Sequence, residues 1–140
     1  MSDRTFVDTN VLVYAHDRSA GVKHEMAREL VTGLWEDRCG VISTQVLQEF
    51  YVNVRRKAER PLGLRQSQRL IEDYLAWEVV VNTGETILEA LDIERRFQLS
   101  FWDALIVHAA TTADVGTLYS EDLNHGQVYG TVRVVNPLRS

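Results

Sequence analysis

Short apolar, β-branched runs alternate along this chain with stretches in which apolar residues recur at every third or fourth position. The runs at residues 5–8, 41–43, 78–81, 117–120 and 132–135 are brief and mostly apolar, as strands buried in a parallel sheet are. Residues 23–36 set Met26, Ala27, Leu30, Val31, Leu34 and Trp35 on one stripe, which predicts a helix. Residues 45–59 do the same with Val46, Leu47, Phe50 and Val54. Arg60-Pro61-Leu62-Gly63 breaks that pattern, and residues 65–77 resume it. Further helices are predicted over 85–97, capped by Thr83, and over 101–112, capped by Ser100 with Gly116 beyond the end. Alternation of this kind predicts an α/β sandwich around a mainly parallel sheet. In such folds ligands gather beyond the carboxyl ends of the strands.

Composition narrows the class. A chain of 140 residues has room for one sizeable core, and no repeat, linker or low-complexity segment divides it, so 1–140 is read as one domain. No segment approaches the ~18 consecutive apolar residues of a membrane helix. The polar start Ser2-Asp3-Arg4 lacks the apolar stretch of a signal peptide, so a cytoplasmic location is expected. Cys39 is the only cysteine, which rules out an intrachain disulfide and a Cys-based zinc site. Any metal must be held by oxygen or imidazole.

The net charge of −5 does not advertise nucleic-acid binding, but its distribution does. Between residues 55 and 69 stand Arg55, Arg56, Lys57, Arg60, Arg65 and Arg69 against Glu59 alone, so this stretch carries +5. An acidic body with one basic arm is the result, although two solvated helix faces around a turn account for the same charges.

Four carboxylates fall where the chemistry is expected. Asp8 ends the first strand in "FVDTNVLVYAHD", and Glu49 lies in the helix after the second, in "VISTQVLQEFYVN". Asp103 opens the helix of "QLSFWDALIVHAA", and Asp122 follows the fourth strand in "LYSEDLNHG". Each has a structural alternative. Asp8 is a good helix N-cap. Ser100 and Asp103 fit a capping box. Glu49 can pair with Arg55 or Arg56, and Glu121 competes with Asp122. In a parallel sheet all four converge on one edge, where their mutual repulsion calls for a counter-charge. Oxygen-only ligation selects Mg2+ or Mn2+ over zinc, and such a cation polarises a phosphoryl oxygen and lowers the pKa of water. No Gly-rich phosphate loop is present. The combination points to phosphodiester hydrolysis, with the basic arm as the candidate contact to the substrate's phosphates.

Other candidate groups are weaker. His16, His24, His108 and His125 show no ligand spacing, and His108 reads as a satisfied helix residue. Cys39 reads as filler, and Ser43 and Ser120 show no GxSxG elbow. Trp35, Trp77 and Trp102 lie in helical patterns and read as core residues rather than base-stacking platforms.

Taken together and in this order, the four acidic stretches resemble the PIN-domain family, and within it the VapC-type toxins of toxin–antitoxin modules. The resemblance runs from about Arg4 to Pro137. It implies a three-layer α/β/α sandwich with a mainly parallel sheet of four or five strands. It also implies a Mg2+- or Mn2+-dependent endoribonuclease, for which in-line displacement of the 3′ oxygen by metal-activated water predicts a 5′-phosphate and a 3′-hydroxyl. Asp8, Glu49, Asp103 and Asp122 match the family's acidic positions as metal-binding and catalytic residues, with Asn10 and Ser120 in support; Ser120-Glu121-Asp122 fits the family's Ser/Thr-x-Asp pattern and favours Asp122 over Glu121. A small VapB-like antitoxin and a homodimer are the partners it implies. The rival is a PIN-like scaffold that binds RNA or protein without cutting. A phosphorylated receiver-like domain needs a lysine at a late strand end, and Lys23 and Lys57 are the only lysines.

Overall fold

The computed structural model describes residues 4–139, and of Lys57 the backbone alone; the polar start Ser2-Asp3 and the Lys57 side chain lie outside the described residues. Strand β1 (Thr5–Val7) runs through Asp8 into helix α1 (Thr9–His16) and, past a short 3-10 turn, helix α2 (Val22–Asp37). Strand β2 (Gly40–Ser43) leads into α3 (Thr44–Val52), and α4 (Leu64–Tyr74) leads to β3 (Glu78–Val80). Helices α5 (Gly84–Phe97) and α6 (Phe101–Thr112) precede β4 (Thr117–Tyr119), β5 (Val128–Tyr129) and β6 (Val132–Val135).

The strands form one sheet in the order β3-β2-β1-β4-β6-β5, parallel throughout except for β5. Successive residues Phe6 and Val7 in β1, and Val41 and Ile42 in β2, are all buried, so both faces of the sheet are covered. Helices supply that cover, as parallel strands require. The chain leaves β1 toward β2 on one side and has β4 on the other. The crevice between β1 and β4 is therefore the point where strand order reverses, the usual position of a ligand in such a sheet.

Three elements differ from the sequence expectation. The sheet has six strands rather than four or five, because the two-residue β5 folds back on β6 around Gly130, whose φ of +61° suits glycine. Two residues carry no periodic signal. The helix expected over 45–59 ends at Val52 and widens into a π-turn over Asn53–Lys57, where the Ala58 N–H reaches back five residues to the Asn53 carbonyl at 3.0 Å. The helix expected over 65–77 stops at Tyr74, freeing Trp77 to lie on the backbone of β2. A Cβ on Gly40 would stand 2.5 Å from the Trp77 ring, so that approach is open only to glycine.

Candidate active site

Parallel pairing of β1 with β4 places Val7 opposite Tyr119, so the next residues, Asp8 and Ser120, become neighbours at the carboxyl edge. The Asp8 N–H donates to the Tyr119 carbonyl at 2.9 Å and carries the ladder one step past the strand. Its side chain is fixed on both oxygens: Thr9 N–H donates to Oδ1 at 2.7 Å and Ser120 Oγ donates to Oδ2 at 2.8 Å. Asp8 thus caps α1 as the sequence suggested, while it remains part of a pocket wall.

That pocket, of about 460 Å³, falls within the ~300–1,000 Å³ range of ligand sites. Asp8, Glu49, Asp103 and Asp122 all line it. Glu49 comes from α3, which Ser43 caps by accepting the Val46 N–H at 3.3 Å. Its partners are Thr9 Oγ1, donating at 2.6 Å, and Gln45 Nε2, donating at 3.4 Å. Arg55, its alternative partner from the sequence, lies over the Tyr51 ring instead. At the start of α6, Ser100 Oγ accepts the Asp103 N–H at 3.1 Å, one half of the expected capping box, and the Asp103 carboxylate lines the pocket. Asn10 Nδ2 donates to both oxygens of Asp122 at 3.2 and 3.0 Å. Neighbouring Glu121 turns away to the Tyr14 hydroxyl and Lys23.

Burial pushes the Asp8 pKa up to about 7, with smaller upward contributions from the charges of Asp122 and Asp103 and an opposing one from the Ser120 hydrogen bond. Asp122 is also raised, first by burial and then by Asp103 and Glu121. The pocket thus concentrates negative charge that its own hydrogen bonds do not offset. Among the described residues, however, no three His, Cys, Asp or Glu side chains stand close enough together to enclose a metal ion. The donor set is oxygen-only and mutually repulsive, and in that respect it fits a hard divalent cation.

The basic arm leaves this pocket rather than lining it. Val52 and Asn53 form part of the wall, and Arg55 and Arg56 follow one residue further on, after Val54. Arg56, Arg60, Arg65 and Arg69 are exposed, and Arg55 is half-buried. Elsewhere His108 meets Glu89 at 3.5 Å and Thr112 at 3.4 Å, as a satisfied helix histidine.

Thr9, Gln45 and Trp102 are among the pocket residues that sequence reasoning missed. Thr9 and Gln45 hold Glu49, and a signal for Thr9 was its place beside Asp8. Trp102, read as core, is 61 % exposed at the pocket mouth. Consecutive residues in a helical turn do not share a face. With Phe101 packed inward against the Ala90–Ala104–Leu105 cluster, Trp102 must point elsewhere.

Comparison with known proteins fits this architecture. VapC20 of Mycobacterium tuberculosis, described as a sarcin-ricin loop cleaving toxin, superposes with a TM-score of 0.67 at 22% identity, covering 92% of this chain and 98% of that one. A toxin-antitoxin complex from Klebsiella pneumoniae gives 0.66 at 17% identity, over 95% and 97% of the two chains. VapBC2 from Rickettsia felis, solved with a DNA fragment from its promoter, gives 0.63 at 16% identity, over 93% and 96%. At such identities the likeness is one of fold. No curated protein matches by sequence. The family model of the PIN domain matches residues 5–130, from the first strand to the turn after β5, and the chain therefore belongs to the PIN domain family.

Proposed function

We propose that this protein is a Mg2+- or Mn2+-dependent endoribonuclease, the toxin of a VapBC-type toxin–antitoxin pair. The observation that carries the proposal is the meeting of four carboxylates from four separate elements in one pocket at the sheet's reversal point. Membership of the PIN family and the likeness to toxin structures support it.

Asp8, Glu49, Asp103 and Asp122 would hold the cation. When bound, it supplies Lewis acidity at the phosphoryl oxygen and a lowered pKa for water. The chain's own residues set the geometry. Ser120 fixes the Asp8 carboxylate, Asn10 fixes that of Asp122, and Thr9 with Gln45 orients Glu49. Arg55, Arg56, Lys57, Arg60, Arg65 and Arg69 are the proposed contacts to the RNA backbone. No helix among the described residues is long and apolar enough to cross a membrane, and a cytoplasmic site of action belongs to the same proposal. So do a small antitoxin partner and a homodimer, for which the exposed apolar ridge Ile87, Leu88 and Leu91 on α5 is supporting surface.

The test is cleavage of total cellular RNA by the purified chain with Mg2+, with Mn2+ and with EDTA, beside Asp8→Asn and Asp103→Asn. Metal-dependent cutting by wild type, lost in both variants while circular dichroism shows them folded, is the expected result. Binding of RNA without cutting under every condition would overturn the nuclease proposal in favour of a non-cleaving scaffold.

A further inference from the structure

We infer that Trp102 and Gln45 form a nucleotide subsite in which an unpaired base of the RNA strand stacks on the exposed indole beside the carboxylates; this rests on the ribonuclease reading above. A Trp with 61 % of its surface in water, at the mouth of a pocket, leaves apolar area uncovered that a partner can bury. The ring is not loose. Phe101 meets it in a T-shaped contact with centroids 5.4 Å apart, and the Trp102 carbonyl accepts Gln45 Nε2 at 3.3 Å.

Gln45 supplies an independent indication. It is 4 % exposed and lines the same pocket. Its amide nitrogen donates to two acceptors, Glu49 Oε2 and the Trp102 carbonyl, which fixes the orientation of the amide. That leaves Oε1 buried with no hydrogen-bond partner. A buried acceptor without a partner is destabilising, and a ligand that brings an N–H or a hydroxyl can supply that partner. Every nucleobase offers an N–H donor and every ribonucleotide a 2′-hydroxyl.

Charge separates a base from other occupants. The carboxylates repel a bare phosphate or an acidic peptide but not a neutral base. Val52 and Ile106 add apolar surface to the wall of the same pocket. Both faces of a paired base are covered within a duplex, so the subsite selects single-stranded RNA or a loop.

The test uses the full chain, wild type beside Trp102→Ala and Trp102→Phe, with a single-stranded decaribonucleotide, the same strand annealed to its complement, and versions carrying one abasic ribose at each position. Binding is followed in EDTA by the fluorescence anisotropy of an end-labelled oligonucleotide, and cleavage with Mn2+ by initial rates. Trp102→Ala should weaken single-strand binding about 5- to 150-fold, the equivalent of ~1–3 kcal/mol of stacking. Trp102→Phe should restore most of it. KM should rise with kcat little changed, duplex binding should be unaffected, and one abasic position should mimic Trp102→Ala in wild type and cost nothing further in the variant. Equal single-strand affinity and KM for wild type and Trp102→Ala would overturn the subsite, whether or not the protein cuts. Trp102-dependent binding without any cutting leaves the subsite standing and removes the nuclease reading instead.

Discussion

Ser120 Oγ gives its one proton to Asp8 Oδ2 at 2.8 Å and accepts two backbone N–H groups, those of Asp122 and Leu123, at 3.2 Å each. A hydroxyl has one donor and two acceptor lone pairs, so this residue is fully used. It ties the carboxylate at the end of β1 to the loop that presents Asp122. Neither position can shift without the other.

Removing this link should therefore harm both halves of the site. Ser120→Ala leaves two N–H groups and one carboxylate oxygen without their partner in a buried place, at a cost of about 1–3 kcal/mol. Urea unfolding should report that loss. Residues that orient metal ligands commonly change activity by about 10- to 100-fold, and RNA cleavage by Ser120→Ala should fall within that range. Unchanged stability and cleavage would mean that Asp8 and the Asp122 loop are positioned independently.

The raised pKa of Asp8 sets the sign of one pH effect. Asp8 ionises near pH 7 in the fold, against its ordinary value of 3.8. Between these values the native state holds a proton that the unfolded state has released, so stability contributed by this group declines as pH rises from about 4 to about 7. In EDTA, the stability of wild type minus that of Asp8→Asn should fall across this window. Millimolar Mg2+ or Mn2+ should raise the wild-type melting temperature at pH 7–8 and leave Asp8→Asn nearly unmoved. A flat difference curve, or equal response of the two proteins to the cation, would count against Asp8 as a ligand.

His16 acts in the opposite direction. Burial, with a smaller effect from His24, lowers its pKa from 6.5 to about 4, and its Nε2 lies 2.6 Å from the Tyr74 hydroxyl. The neutral ring accepts from Tyr74. Below pH 6.5 the unfolded state takes up a proton that the native state refuses, so stability is complete above pH 6.5 and is lost as pH falls toward 4. The loss should reach about 3 kcal/mol, because each tenfold difference in proton affinity between the folded and unfolded states corresponds to ~1.36 kcal/mol. The difference between wild type and His16→Gln in urea unfolding should rise with pH across this window; a pH-independent difference would show that His16 titrates normally.

The basic arm makes a prediction about salt. Replacing Arg56, Arg60, Arg65 and Arg69 by Gln should weaken RNA binding without regard to sequence. On single strands each phosphate contact contributes about 0.7 to the slope of log affinity against log salt, so the slope should become shallower by up to about 3. An unaltered slope would place the RNA backbone elsewhere.

How much of this protein could be read from its sequence depends on the range of each signal. Strand and helix types followed from local periodicity, because burial against a sheet imposes a period of two or continuous hydrophobicity on strands and 3.6 on helices. Helix caps at Thr83 and Ser100 were legible for the same reason, since capping involves residues three apart. The acidic positions were legible because a parallel sheet brings strand ends and helix starts to one edge.

What tertiary structure alone decided involves contacts between distant residues. Whether Glu49 meets an arginine or Thr9 and Gln45 depends on how α3 lies beside α1, 40 residues away in sequence for the Thr9 contact. Two-residue β5 exists only because β6 is there to pair with it. The exposure of Trp102 was decided by Phe101 taking the inward position at the first turn of α6. Periodicity reports that one face of a helix is buried; near a helix end, only the neighbouring elements determine which residue occupies that face. The sequence by itself set which carboxylates could meet, and packing set what holds each of them and what stands at the mouth of their pocket.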